Sequence, residues 1–353
     1  MRRLPVLFFV LALLCYASVW VSPGWFWPAA FFSLAIPGML VVSLVWAVVA
    51  LLRQRGWRTF VLPGLAALAG LPFLWLWLTP RVVAPDPAPG GGLKVLSWNV
   101  ASLGGKRWRH NSRQQNALSQ YRAIDSIDAD VCLLQEFYHN PAVPAFMGAN
   151  YLRKQGYNYR FLSTHQPSDG ITGYSVAIFS RFPLTKGRTL DRRPTDNNQI
   201  ILADVAWAGR KLRLIDLHFA SVKLTWDEQS YQHGPMRLFE NFISIFGKLK
   251  KAYQLRAKQV AIATQAIEES PYPVILAGDF NDTLFSYSYF RIRRLLQNSH
   301  EAAGRGLGVT FSGRIPLLRI DHQFASDTLQ RWGYVNHTEI DLSDHRPQSC
   351  YYR

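Results

Sequence analysis

Pro273-Val274-Ile275-Leu276-Ala277-Gly278-Asp279-Phe280-Asn281-Asp282 is the stretch on which the reading of this 353-residue chain turns. An apolar run of strand length ends by presenting a carboxylate and a carboxamide two residues apart. At the period of a strand, Asp279 and Asn281 leave the same face. An acceptor beside a group that both donates and accepts is suited to hold a water and take its proton. Gly, Asp and Asn also dominate turns, so the stretch alone fits a plain turn equally well.

Outward from it, other strand-like runs end on polar groups in the same manner. Leu93–Val100 alternates and delivers Asn99. Ala129–Glu136 is a buried-type strand ending on Glu136. Gln199–Ala206 and Lys211–His218 read as a hairpin turned at Ala208-Gly209-Arg210, with His218 at its end. Leu318–Ala325 is a strand carrying Asp321, and a buried carboxylate needs a partner. A closing strand is placed around Ser343-Asp344-His345-Arg346-Pro347. Helices are expected over Ser112–Ser126, Met236–Ile267 and Ser286–Gln297. Taken singly, Glu136 fits a solvated terminus, His218 a core histidine and Asp344 a turn cap. Together they form an oxygen-rich set with few Cys or His ligands, which favours Mg²⁺ or Mn²⁺ over Zn²⁺.

Residues 1–79 differ in kind. They carry only Arg2, Arg3, Arg53, Arg55 and Arg58 as charges. Leu4–Val21, Ala29–Leu52 and Phe60–Thr79 are each long enough to cross a hydrocarbon core of about 30 Å as helices. A small-x-small cleavage site is lacking after the first, so it reads as a retained anchor rather than a signal peptide. The basic residues fall before span one and between spans two and three, which places both segments in the cytoplasm. Everything after Thr79 then lies on the periplasmic or extracellular side of the inner membrane, held by a multi-pass anchor. Residues 80–92, rich in Pro and Gly, read as a linker, and 93–353 as one large α/β domain.

Net charge is +16. Six of the 39 basic and one of the 23 acidic residues precede position 93, leaving 33 against 22, or +11, for the domain. That balance suits anionic partners. The basic, Trp-bearing segment Lys106–His110 suits single-stranded nucleic acid. Cys15, Cys132 and Cys350 make no disulfide framework.

Trp98-Asn99-Val100, Leu134-Gln135-Glu136, Ala177 through Pro183, Leu217-His218, Gly278 through Asn281, Ile320-Asp321 and Ser343 through Pro347 together resemble the endonuclease/exonuclease/phosphatase superfamily over residues 93–353. The resemblance implies a four-layered α/β sandwich, two packed mixed sheets flanked by helices, here preceded by three transmembrane helices. It also implies roles. Glu136, with Asn99 and Asp344, holds Mg²⁺ or Mn²⁺. Asp279, helped by Asn281, activates water. His218 and His345 bind phosphoryl oxygens, and Asp321 fixes the His345 tautomer. Two departures stand out: His322 follows the Ile-Asp pair where many members have an aromatic, and Asp282-Thr283 lacks a proline common in relatives.

The chain therefore reads as a membrane-embedded phosphodiesterase acting on nucleic acid or a phospholipid headgroup, with an endonuclease first. A sphingomyelinase-like phospholipid phosphodiesterase or an inositol-type phosphatase is the alternative. A non-catalytic membrane binding protein is the third reading, against which all the site residues are present. No feature calls for a protein partner.

Overall fold

The computed structural model describes residues 3–53, 57–80, 91–104, 113–163, 173–191, 198–222, 235–313, 315 and 317–353, with side chains excepted at 57–58 and 235–242. The linker residues 81–90 and the basic segment Lys106–His110 lie outside them. The chain divides into two compact units.

The larger unit (Leu78–Phe219, Ala261–Asp282 and Ile292–Arg353) contains two sheets of six strands. In chain order the strands are β1 (Leu93–Asn99), β2 (Val131–His139), β3 (Tyr159–Leu162), β4 (Gly173–Ser180), β5 (Leu184–Asp191), β6 (Ile200–Trp207), β7 (Arg210–His218), β8 (Val274–Asp279), β9 (Gln297–Asn298), β10 (Asp321–Ala325), β11 (Arg331–Asn336) and β12 (Gln348–Tyr352). The first sheet runs β11-β12-β1-β2-β4-β3 and the second β5-β6-β7-β8-β10-β9. Each mixes directions: β1 is parallel to β2 and antiparallel to β12, while β7 is parallel to β8, which is antiparallel to β10.

Alternation along the strands sorts the core. Val95, Leu133 and Ile178 face Ile201, Leu214 and Ile275 between the sheets, all fully buried. Leu96, Trp98, Cys132 and Leu134 point the other way, onto Tyr121, Ile124 and Leu152 from flanking helices Arg113–Ile127 and Gly148–Lys154. Strands covered on both faces have no polar side, which is why Val131–Leu134 is an unbroken apolar run. Burial of each such aliphatic side chain contributes about 1.5–3 kcal/mol. The β6–β7 hairpin turns at Ala208 and Gly209, with φ of 50° and 75°. Two left-handed residues make the turn whose twist matches the strands.

Some expected elements shift. The strand beginning at Leu318 starts only at Asp321, because Thr310 takes the preceding backbone: its N–H donates to Leu318 O and its Oγ1 accepts from Ile320 N. Ser343–Pro347 is a turn in which Ser343 Oγ accepts from His345 N at 3.1 Å. The ladder resumes at Gln348, past Pro347, which has no N–H to give. The helix expected to Gln297 stops at Arg293.

The smaller unit joins Met1–Trp77 to Ala220–Val260 and Thr283–Arg291. Its helices are Leu4–Ala17, Ala29–Leu34, Ile36–Leu52, Trp57–Leu78 and most of Pro235–Glu268. Among the described residues one helix, Thr59–Leu78, is long and apolar enough to cross a membrane. Leu4–Trp20 and Ile36–Leu52 are apolar but shorter, so the expected three spans are corrected to one by length. The second stretch is cut at Ala35, where Pro37 opens a new helix. Aromatic rings tie the segments of this unit together. Phe246 stacks on Phe31 at 4.3 Å and meets Trp27 edge-on at 5.3 Å. Phe290 meets Trp20 at 5.0 Å and Phe73 at 5.7 Å.

Candidate active site

Sheet register assembles the site. His218 at the end of β7 lies opposite Asp279 at the end of β8, which lies opposite Asp321 at the start of β10. Three adjacent strands thus set an imidazole and two carboxylates in one row. Gly278 permits the close approach. Its φ is +144°, and a Cβ there would stand 1.9 Å from Leu217 O.

The first sheet supplies the facing groups. Asn99 Nδ2 donates to Asp279 Oδ2 at 3.0 Å and to Glu136 Oε1 at 3.4 Å. Glu136 is not at a strand end. It sits within β2 at a register shift between Leu134 and Phe137, with φ of 53°, and this bulge turns its carboxylate toward the rim. Ser102 Oγ donates to Glu136 Oε2 at 3.1 Å. Ala101, Ser102 and Leu103 are all left-handed, as is Asn281. Such backbone costs about 1–3 kcal/mol per residue and gathers where geometry is imposed by function.

Asn281 meets Asp279 by a turn rather than by strand pleat. Its backbone N–H donates to Asp279 Oδ1 at 2.7 Å, and its Nδ2 to Oδ2 at 3.2 Å and to Phe219 O at 3.0 Å. Asp279 Oδ2 also lies 3.5 Å from His218 Nε2 and 3.8 Å from His345 Nε2. One buried oxygen is therefore surrounded by two amides and two imidazoles.

His345 is held from behind. Its Nδ1 donates to Asp321 Oδ2 at 2.9 Å and Oδ1 at 3.0 Å, and its backbone O accepts from Trp98 Nε1 at 2.9 Å. Burial opposes its charge, but Asp321 and Asp279 outweigh it and raise its pKa to about 10. Asp344 immediately precedes it and adds to the same pull. Both ring nitrogens of His218 lack a hydrogen-bond partner although the residue is 2% exposed. An orphaned polar group at this depth awaits a ligand.

Asp279, Asp321 and His345 have ligand atoms within 4.8 Å of one another, close enough to cage a cation. His345 Nδ1 faces Asp321, so a cation at this cluster would meet the ring only through Nε2, which lies 3.8 Å from Asp279 Oδ2. The most exposed of the Glu136, Asp279 and Asp321 carboxylates is that of Glu136, at 32%, with the Asn99 amide beside it engaged by Ala101 N. A hard divalent cation fits those donors. His322, by contrast, packs its ring edge-on against Phe280 at 5.0 Å, with burial holding its pKa well below the usual value.

Some site residues carried no legible signal. Thr310 Oγ1 accepts from Asp321 N at 3.1 Å, and the Phe311 ring packs 5.1 Å from His345. Gln135 Nε2 donates to Asp216 Oδ1 at 2.7 Å between the sheets. Only the Gln-Glu and Asp-x-His spacings in the strands hinted at that pair.

Comparison with known proteins follows this geometry. Residues 96–345 match the model of the Endonuclease/Exonuclease/phosphatase family, and residues 2–77 match a domain of unknown function. No curated protein matches the chain. Among solved structures, a humanized D. rerio TDP2 with 14 mutations is 20% identical with a TM-score of 0.52, over 74% of this chain and 98% of that one. The endonuclease/exonuclease/phosphatase from Beutenbergia cavernae is 16% identical with a TM-score of 0.52, over 74% and 72%. The human nocturnin catalytic domain is 16% identical with a TM-score of 0.50, over 74% and 94%. These likenesses concern the fold; the family match covers well over half of the sequence, and the chain belongs to the endonuclease/exonuclease/phosphatase family.

Proposed function

We propose that this chain is a Mg²⁺- or Mn²⁺-dependent phosphodiesterase, an endonuclease in the first instance. Members of its family are metal-dependent phosphoester hydrolases. The observation that carries the reading is the row His218–Asp279–Asp321 with His345 seated on Asp321. Asp279 Oδ2, in reach of both imidazoles, takes the proton of the attacking water while Asn281 fixes the carboxylate. The His345 imidazolium and His218 neutralise charge on the phosphoryl oxygens, and Asp321 holds His345 in the required tautomer. Glu136, Asn99 and Asp344 are the metal-side residues. A bound divalent ion supplies Lewis-acid stabilisation of the phosphoryl group.

The +11 charge of residues 93–353 supports a polyanionic substrate. D. rerio TDP2, a structural neighbour, has been solved with a single-strand DNA product. The second reading, a phospholipid phosphodiesterase, is supported by the apolar side chains left exposed on the N-terminal helices, Leu4, Leu7, Leu52 and Trp75 among them. Those same side chains support anchoring in a bilayer with the catalytic unit outside the cytoplasm. A phosphatase reporter fused after Arg353 tests the orientation, and cytoplasmic activity alone would overturn it.

The function is tested on the full chain in detergent, with Mg²⁺ and then a chelator, against DNA, RNA, sphingomyelin and phosphoinositides. Nucleic-acid cleavage that the chelator stops is the expected result. Exclusive turnover of sphingomyelin would replace the nuclease by the second reading, and hydrolysis undiminished in chelator would remove the metal.

A further inference from the structure

Beside the site lies a cavity of about 570 Å³, within the range of small-molecule pockets. His300, Arg305, Leu307, Tyr334, Asn336 and Arg346 are among its walls, and no acidic residue is. Neither Arg305 nor Arg346 makes an ion pair with a described residue. Two guanidiniums that line the cavity with no ion pair among the described residues suit an anion.

The His300 side of the cavity carries no charge. His300 is 3% exposed, and its Nε2 lies 3.0 Å from Gly306 O, so Nε2 carries the proton and Nδ1 keeps a bare lone pair. Burial, reinforced by Arg319, lowers its pKa to about 3, which keeps the ring neutral. A ligand that fills this space presents a flat apolar body to Leu307 and Tyr334 and carries negative charge toward Arg305 and Arg346.

The cavity is tied to the site by the chain itself. Arg346 follows His345, and its backbone N–H donates to Thr310 O at 2.8 Å. Thr310 in turn holds the Asp321 backbone, and Phe311 pairs with His345.

We propose that this cavity is a nucleotide subsite: it takes the base next to the scissile phosphodiester against Leu307, Tyr334, His300 and Asn336, and the following phosphate on Arg346 and Arg305. The proposal rests on the phosphodiesterase reading and gives it a substrate class. A nucleic acid has a second phosphate one nucleotide along, whereas a choline headgroup presents a cation that two guanidiniums repel. A phosphorylated inositol has the charge but not the apolar face.

The test uses the full chain in detergent without metal, so that binding is read without turnover. Thymidine 3′,5′-bisphosphate, inositol bisphosphate and phosphocholine are titrated by calorimetry. The bisphosphate nucleotide is expected to bind at least about tenfold more tightly than phosphocholine, with Arg346→Gln and Arg305→Gln each weakening it about tenfold and lowering the salt slope by about one. Leu307→Trp, which fills the apolar floor, removes the preference for the nucleotide over inositol bisphosphate. Equal binding to wild type and both arginine variants would overturn the subsite, and a preference for inositol bisphosphate would overturn its occupant. Failure of the phosphodiesterase reading is distinguishable: no phosphodiester would turn over in Mg²⁺, while the arginine-dependent binding persisted.

Discussion

Asp216 and Gln135 meet 2.7 Å apart in the seam between the two sheets, one residue before Glu136 and two before His218. Asp216 is fully buried, and burial raises its pKa well above the usual carboxylate range against the pull of the Gln135 amide. Its Oδ2 and Gln135 Oε1 are both without partners. Burial therefore favours the neutral acid in this contact with the Gln135 amide.

Asp216→Asn is accordingly expected to be nearly neutral in stability, because an amide keeps both shape and donor. Asp216→Ala strands the Gln135 amide in the core and costs about 1–3 kcal/mol. The folded pKa is raised, so the contribution of Asp216 is complete below the unfolded value of about 3.9 and is lost as pH climbs through the folded value. Thermal unfolding of wild type and Asp216→Asn across that range checks it; identical pH profiles would mean the Asp216 pKa is not raised by folding.

His345 has a raised pKa as well, about 10. Its contribution to stability is complete below about 6.5 and is lost as pH rises through about 10. Activity should share that alkaline limb, and His345→Gln should abolish it. If Asp321 acts through His345, as proposed, Asp321→Ala and His345→Ala should each be severe, and the double variant little worse than either. Additive losses in that cycle would make Asp321 a structural acid only.

Asp279 and Glu136 separate by what their loss spoils. In the proposed mechanism Asp279→Asn deprives the water of its base, so it should lower kcat about 10²–10⁴-fold with KM little changed. Glu136→Gln keeps the shape of the side chain but removes charge from the metal side. It should raise the Mg²⁺ concentration needed for half-maximal rate, with kcat largely recovered at saturating metal. Titrating Mg²⁺ against both variants distinguishes them, and a metal requirement unmoved in Glu136→Gln would take that residue out of the metal site.

The row of reactive side chains was readable because each interrupts an apolar run. Asp279, His218 and Asp321 sit where a hydrophobic strand has no reason to place charge. The register that sets them opposite one another lies in backbone pairing between β7, β8 and β10, which no local pattern encodes. Glu136 was assigned to a strand end because a bulge leaves no trace in hydrophobic periodicity. Strands β3, β5 and β11 escaped notice because edge strands are short and half-solvated, and lack the continuous apolar run of β2. Pro37 signals the break at Ala35, but the uniformly apolar composition on both sides of it reads as one continuous span. Gln135 and Asp216 are 81 positions apart, and each alone looks like an ordinary strand polar.

The rings of Phe246, Tyr253, Phe285 and Phe290 belong to the stretch of chain that carries the catalytic motifs, yet they rest on Trp20, Phe31 and Phe73. Clipping the chain after Trp77, the obvious way to make a soluble enzyme, would leave those rings facing water and invite aggregation. The amino-terminal helices are in this sense a prosthesis the enzyme cannot shed: whatever compartment they live in, the catalytic sequence has been tailored to live there too.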